Sequence, residues 1–285
     1  MPAPSIDEAL HTACAAGITL HEARMLLLHL LGRAAHERAW LLAHGSDAAP
    51  AGVPEALQQL AARRLASEPI AYITGKKAFY GLELQVNEHT LDPRPDTETL
   101  VDWALDLLRE ADAPAVLDLG CGSGAIALAI AAHCPAARVV ATDASAEALA
   151  VARGNAERLR LAVEFRQGAW DDWFAPAAAG ERFDLIASNP PYIAEGDEHL
   201  PALHCEPRSA LASGEDGLHD LRRIIASAPA HLAPGGWLLL EHGWQQGEAV
   251  RALLREAGFA CVSTRRDLGG NERISGAKMP DTLKK

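Results

Sequence analysis

The 285-residue sequence predicts an α/β fold: a mostly parallel, seven-stranded sheet preceded by a small all-helical domain and a β-hairpin linker. Three observations predict it. From Ala115 onward, strand-length apolar runs alternate with helical stretches, the pattern of a largely parallel sheet covered on both faces. The first of those strands runs into a glycine turn, Gly120-Cys121-Gly122-Ser123-Gly124, that opens a helix. Ahead of residue 68 the apolar residues instead recur at helical spacing, behind two helix-start signatures.

Those signatures are Ser5-Ile6-Asp7-Glu8 and Thr19-Leu20-His21-Glu22. Each sets a hydroxyl three residues before a glutamate, so that two free N–H groups of the first turn are satisfied reciprocally. Behind the second, Met25, Leu26, Leu27, Leu28, Leu30 and Leu31 predict a helix buried on one side, and further helices are expected near 36–44 and 54–67. Glu68-Pro69 breaks this pattern. From Ile70 to Val86, Tyr72, Ile73, Phe79, Tyr80, Leu82, Leu84 and Val86 surround Thr74-Gly75-Lys76-Lys77, which reads as a hairpin. Pro93-Arg94-Pro95-Asp96 ends it, and Asp96 is expected to cap a helix through Leu100, Val101, Ala104, Leu107 and Leu108. Expected domains are therefore 1–68, a linker 69–95, a sheet domain 96–277 and a solvated tail 278–285.

In the sheet domain the expected strands are Ala115–Leu119, Arg138–Thr142, Val163–Arg166, Phe183–Ser188 and Trp237–Glu241. An antiparallel pair, Cys261–Arg266 and Arg273–Ser275, closes the set. Helices are expected at Ala125–His133, Ala146–Leu159, Leu218–His231 and Gln245–Ala257.

Composition narrows the function classes. Apolar residues make up 49% and charged residues 22%, as in ordinary globular proteins, and no apolar run is long enough to cross a bilayer. Met1 to Glu8 do not read as a basic-then-apolar secretory leader, so none is expected. Five scattered cysteines without a Cys-x-x-Cys pair suggest neither a disulfide framework nor a zinc site, so a reducing cytoplasm is the expected setting. The net charge of −12 disfavours direct nucleic-acid binding, because neutralising phosphates supplies most of that affinity. His11, His21, His29, His36 and His44 form no ligand set, and no metal is expected. Arg63-Arg64 and Lys76-Lys77 read as solvated faces.

The glycine turn allows close backbone approach, and the helix it opens offers free N–H groups. Asp143 ends the second strand, where a carboxylate can accept hydrogen bonds from ribose hydroxyls. Together they predict an adenosine cofactor, but Gly120-x-Gly122-x-x-Ala125 also fits the relaxed dinucleotide fingerprint, which leaves a nicotinamide oxidoreductase open.

Asn189-Pro190-Pro191-Tyr192 follows the fourth strand, facing the glycine turn if the strand order is 3-2-1-4-5. Nicotinamide chemistry has no use for it; nitrogen methylation does. An amide or exocyclic amino nitrogen is a poor nucleophile because its lone pair is delocalised. Hydrogen bonds from both N–H groups to fixed acceptors, the Asn189 side-chain oxygen and the Pro190 carbonyl, would aim that lone pair at a methyl group. The prolines stiffen the backbone, and Tyr192 offers an aromatic face. No general base is required, so Glu241-His242 reads as a sheet-end loop rather than an acid–base pair.

On these motifs the sequence resembles the bacterial peptide chain release factor N5-glutamine methyltransferases, which belong to the class I S-adenosylmethionine-dependent methyltransferases with a Rossmann-like sheet. The likeness spans nearly the whole chain, including the helical N-terminal unit, Pro93-Arg94-Pro95-Asp96-Thr97-Glu98, Asp118 to Ala127, and Ser188 to Ile193. It implies that Gly120, Cys121, Gly122, Ser123, Gly124, Asp143, Trp170 and Asn189 bind S-adenosylmethionine, with no metal. It further implies that Asn189, Pro190, Pro191 and Tyr192 hold the glutamine of the Gly-Gly-Gln motif of class I release factors. Residues 1–68 would help recognise that protein partner, and a monomer without membrane association is expected. Cys121 stands where the family often has threonine, and Ala169 where it has aspartate. Trp170 is the residue expected against the adenine, with Asp172-Trp173-Phe174 as a second register. A ribosomal-protein glutamine and a nucleic-acid adenine remain alternative acceptors, since both pose the same chemical problem.

Overall fold

The structure, a computed structural model, describes residues 3–169, 172–177 and 180–281. The chain divides into two compact units, Met1–Lys76 and Lys77–Lys285.

In the first unit, α1 (Ile6–Ala15) and α2 (Leu20–Leu30) start at the two expected capping boxes. The Glu8 N–H donates to Ser5 Oγ at 3.2 Å while Glu8 Oε2 accepts from the Ser5 N–H at 2.6 Å, and Thr19 and Glu22 repeat the exchange. Glu22 is held a second time by Arg64 of α4 (Val53–Leu65) at 2.7 Å. With the short α3 (Arg38–His44), these helices enclose a core of Leu10, Leu26, Leu27, Leu28 and Leu57.

The hairpin sits further along than expected. Ile70–Thr74 is a helical turn, α5, whose Thr74 hydroxyl donates to the Ile70 carbonyl at 2.9 Å; Gly75, at φ +70°, ends it. Strands β1 (Lys76–Phe79) and β2 (Leu82–Gln85) follow, turning at Tyr80-Gly81. Both turn residues have positive φ, the geometry that matches the right-handed twist of a two-residue hairpin. Tyr80 is held there by its N–H, which donates to Glu98 Oε1 at 2.8 Å, and by its hydroxyl, which donates to Asp102 Oδ1 at 2.6 Å. Asp96 does not cap the next helix, α6 (Glu98–Leu108). It lies in a 3-10 turn, Pro95–Thr97, and pairs with Arg273 at 3.3 Å.

The sheet contains β3 (Ala115–Leu119), β4 (Arg138–Asp143), β5 (Glu164–Gln167), β6 (Phe183–Ser188), β7 (Leu232–Glu241), β8 (Ala260–Arg266) and β9 (Glu272–Lys278). Their order is β5-β4-β3-β6-β7-β9-β8, parallel except for β9, which runs antiparallel to both neighbours. Alternate residues feed two cores. Val116, Val139, Leu185 and Leu239 pack with α6, α7 (Ala125–His133) and α8 (Ala146–Leu159). Leu117, Val140, Ile186 and Leu238 pack with α9 (His219–Ser227) and α10 (Gly247–Glu256). The period of two explains why consecutive strand residues are all buried.

Several ends differ from expectation. The helix expected over Leu218–His231 stops at Ser227, where a 3-10 turn, Ala228–Ala230, with Pro229 takes over. β7 begins at Leu232 rather than Trp237, because a register shift in its pairing with β6 absorbs Pro234-Gly235-Gly236. β9 runs on to Lys278, one residue into the expected tail, and the Met279 N–H beyond it donates to the Gly236 carbonyl at 2.7 Å. Among the described residues no helix is long and apolar enough to cross a membrane.

Candidate functional site

β3 and β6 are neighbours whose following connections leave on opposite sides, and ligands bind at such a switch point. A cavity of about 310 Å³ lies there, lined from the carboxyl ends of β3, β4, β5 and β6 and by residues around 89–97 and 207–212. That volume suits a small-molecule cofactor.

The glycine turn forms its floor. The Gly120, Gly122 and Gly124 backbones all have positive φ. A Cβ on Gly120 would come within 2.9 Å of the Trp173 ring and one on Gly124 within 3.0 Å of the Leu128 side chain, whereas one on Gly122 would project into open space. Beneath the turn Asp118 is wholly buried, and its Oδ2 accepts from the Ala127 N–H at 3.0 Å. Burial pushes the Asp118 carboxyl up to about 7.

Asp143 ends β4 at the cavity wall. It accepts from the Gly122 N–H at 2.8 Å and from the Ser145 N–H at 2.9 Å, which leaves lone pairs on both oxygens for a ligand. Burial raises its pKa, although the N–H groups of Ser145, Gly122 and Ala144 oppose the rise. Cys121 also lines the cavity, and burial pushes its thiol well up, so the sulfur keeps its proton.

Opposite, Asn189 and Pro191 line the cavity, while Pro190 and Tyr192 stand just outside the lining. The tetrapeptide is fastened at several points. The Ser188 hydroxyl donates to the Leu119 carbonyl at 2.7 Å, and Asn189 Nδ2 donates to Thr97 Oγ1 at 3.3 Å. The Tyr192 hydroxyl donates to Glu241 Oε1 at 3.2 Å, and Gln246 Nε2 donates to the Tyr192 carbonyl at 3.1 Å. The Tyr192 ring packs on the α9–α10 side of the sheet.

The structure thus brings together Gly120, Cys121, Gly122, Ser123, Asp143, Asn189 and Pro191 in one cavity. Gly124 is set back as the N-cap of α7. Trp170 lies outside the described residues; the second register, Trp173, lines the cavity beside Gly120, its Nε1–H donating to Asp220 Oδ1 at 3.1 Å. Thr97 and Asp220 also line the cavity; Thr97 lies in the Pro93–Glu98 segment that carries the family likeness but was given no role there, and no local pattern marked Asp220. Glu241 and His242 are not an acid–base pair. His242 Nδ1 donates to the Gly243 carbonyl and Nε2 meets Ser275 Oγ at 2.8 Å, whereas Glu241 faces Thr97 and Tyr192.

Electrostatics separate the two cofactor readings. Among the described residues the lining carries Asp143, Asp172 and Asp220 but no lysine or arginine. That field favours a cationic sulfonium and works against the doubly anionic pyrophosphate of a dinucleotide. The open cradle over Gly122 and the spare lone pairs of Asp143 fit the adenosine part.

The sheet order with its reversed penultimate strand, the glycine turn and the Asn-Pro-Pro-Tyr segment define a class I S-adenosylmethionine-dependent methyltransferase. A solved methyltransferase from Pyrococcus furiosus shares this fold, with a TM-score of 0.53 and 20% identity over 77% of this chain and 97% of that one. Residues 99–214 match the Methyltransferase small domain and residues 8–75 the PrmC N-terminal domain. The release factor glutamine methyltransferase of Bordetella pertussis is 54% identical over 91% of this chain and 95% of its own length. That of Xylella fastidiosa (strain Temecula1) is 49% identical over 98% and 99%. The chain belongs to the release factor glutamine methyltransferase family.

Proposed function

We propose that this protein transfers a methyl group from S-adenosylmethionine to the side-chain amide nitrogen (N5) of the glutamine in the Gly-Gly-Gln motif of class I peptide chain release factors, acting in the cytoplasm. The observation that carries this reading is Asn189 at the cavity wall opposite the glycine turn, with its Nδ2 already engaged by Thr97. Its Oδ1 is left to accept an N–H from a substrate. Among the described residues nothing donates to the Pro190 carbonyl either, so it is the proposed second acceptor.

S-adenosylmethionine, when bound, supplies a sulfonium methyl group open to displacement. Gly120, Cys121, Gly122, Ser123 and Asp143 are proposed to hold it, Asp143 through the ribose hydroxyls. Trp173, beside the glycine turn, is proposed to contact the adenine, the contact first expected of Trp170, which lies outside the described residues. Asn189 and Pro190 would accept the two amide hydrogens of the glutamine and keep its lone pair pointed into the cavity. Pro191 and the anchored Tyr192 keep those acceptors still. Catalysis of this kind rests on position and fixed dipoles, and the amide proton leaves only after the new bond has formed.

The test is mass spectrometry of a purified class I release factor incubated with this protein and S-adenosylmethionine. The expected result is one added methyl on the glutamine of the Gly-Gly-Gln peptide. An unmodified release factor, with the methyl found on a ribosomal protein or on nucleic-acid adenine, would assign the chain to one of those substrates instead.

A further inference from the structure

Two residues, Thr97 at the cavity and Glu241, touch Asn189 and Tyr192 without being assigned a role of their own. Thr97 ends the Pro95–Thr97 turn, and Glu241 ends β7; both side chains are buried. The Thr97 hydroxyl lies 2.6 Å from Glu241 Oε2 and 3.3 Å from Asn189 Nδ2. The other oxygen of the same carboxylate accepts from the Tyr192 hydroxyl. A hydroxyl has a single proton to give. With that proton committed to Glu241, Thr97 can only accept from Asn189, and only the NH2 end of the Asn189 amide can supply the bond. The oxygen end is then turned away from Thr97.

We propose that Thr97 and Glu241 are positioning residues: the Glu241 carboxylate, acting through the Thr97 hydroxyl, fixes the Asn189 amide with its oxygen rather than its NH2 toward the nitrogen that receives the methyl. This rests on the proposed function and deepens it. An Asn189 turned about would set donors against the substrate's own N–H groups and leave them without an acceptor.

The direction of this chain of hydrogen bonds depends on the charge of Glu241. Burial pushes its carboxyl up to about 7, with a smaller push from Asp96, against the Thr97 hydroxyl, the Arg273 guanidinium and the Tyr192 hydroxyl, which favour the anion. His242, next in sequence, is engaged by Gly243 and Ser275 instead. A protonated Glu241 would donate to Thr97, whose own proton would pass toward Asn189 and favour the reversed amide. Turnover therefore rises with pH through neutrality.

The experiment compares wild type, Thr97→Val, Thr97→Ser and Glu241→Gln. It reads kcat and KM on the release factor, the Kd for S-adenosylhomocysteine by calorimetry, and the thermal midpoint. Thr97→Val, which removes the hydroxyl but keeps the branched shape, is expected to lower kcat by about 10- to 100-fold, as misplacement of a reacting group does. KM and the Kd should stay within about twofold, since the loss falls on the chemical step. Thr97→Ser keeps the hydroxyl and should turn over nearly as wild type. Glu241→Gln should turn over more slowly and lose the dependence on pH near neutrality. The relay is overturned if an active wild type is matched by Thr97→Val, if the two Thr97 variants fall alike, or if Glu241→Gln keeps the wild-type profile. A wild type that leaves the release factor unmodified overturns the function itself, which is a separate result.

Discussion

Asn155, wholly buried on α8, donates from Nδ2 to the Ser123 carbonyl of the glycine turn at 3.0 Å. The same amide pairs with Gln85 of β2, donating to its carbonyl at 2.9 Å and accepting from its N–H at 2.7 Å. One side chain thus joins the hairpin to the cofactor floor. Asn155→Leu would strip partners from three backbone groups, each costing about 1–3 kcal/mol where water cannot replace the bond. The expected outcome is a clear loss of stability in urea titration together with weaker S-adenosylhomocysteine binding, because Ser123 lines the cavity. Lost stability with unchanged binding would show that the turn keeps its shape without Asn155.

Asn189→Ala removes the proposed side-chain acceptor and nothing on the cofactor floor. Loss of one preorganised group facing the reacting atoms typically lowers kcat by about 100- to 1000-fold. S-adenosylhomocysteine affinity should stay within about tenfold, since the truncation leaves Asp143 and the glycine turn intact. Single-turnover methylation and calorimetry on the same preparation check both halves. Near-full turnover would remove Asn189 from the chemistry.

Much of this site was legible because its parts are local. The turn from Gly120 to Gly124 announces itself within one strand–helix junction, and Ala125–His133 and Phe183–Ser188 occur at the expected limits because glycine or proline bounds them. The hairpin slipped because Gly75 reads equally well as a turn centre or a helix end. Only the packing of Ile70–Thr74 as a helical turn decides between them. Thr97 and Glu241 were both visible in the sequence, one in the Pro93–Glu98 segment and the other beside His242, but their pairing was not: they are 144 residues apart, and only the placing of α6 beside β7 makes them partners. The sequence does not separate Trp170 from Trp173, because indole position depends on a loop with no periodicity.

Asp118 predicts a pH dependence of stability. Its folded carboxyl is raised to about 7 by burial, with Asp143 adding to the rise and the Ala127 N–H opposing it. The folded protein therefore binds a proton more readily than the unfolded chain, whose aspartates titrate near 4. The associated stability is present in full below about pH 4 and is lost as pH rises toward 7. Asp118→Asn cannot titrate, so its stability relative to wild type should improve between pH 5 and about pH 7.5 by a few kcal/mol at most. Urea midpoints at both pH values measure the difference. A constant gap would mean that Asp118 is ionised throughout.

Asp143→Asn separates the two duties of that carboxylate. The amide oxygen can still accept from one of the Gly122 and Ser145 N–H groups, so the fold should survive with a modest loss of about 1–2 kcal/mol. Ligand hydroxyls, however, lose a charged acceptor, and charge-assisted bonds are about twice as strong as neutral ones. Affinity for S-adenosylhomocysteine should drop by about 10- to 100-fold, corresponding to roughly 1.4–2.8 kcal/mol. Calorimetry at constant pH reads this directly. Unchanged affinity would mean that the carboxylate serves the turn alone.

The segments that bring His89 to Pro93 and Pro207 to Ala212 to the cavity are tied by one ion pair. Arg94 Nη2 donates to Glu206 Oε1 at 2.5 Å, and the Asp92 N–H donates to Glu206 Oε2 at 3.2 Å. The Glu206 side chain is 2% exposed and that of Arg94 34%, so the carboxylate is buried while solvent partly screens the guanidinium. Removing Arg94 leaves the buried Glu206 carboxylate with the Asp92 N–H but without its counter-ion. A fully buried pair would lose about 3–5 kcal/mol, and the partial exposure of Arg94 reduces this to at most about 3 kcal/mol. Arg94→Met should therefore destabilise the fold and raise KM for the release factor by letting the two segments part. Arg94→Met combined with Glu206→Leu should recover much of the stability, because neither charge then remains to be buried. Denaturation of the four proteins in this double-mutant cycle isolates the coupling. A double variant as unstable as the sum of the singles would show that each segment is held by its own packing and not by the other.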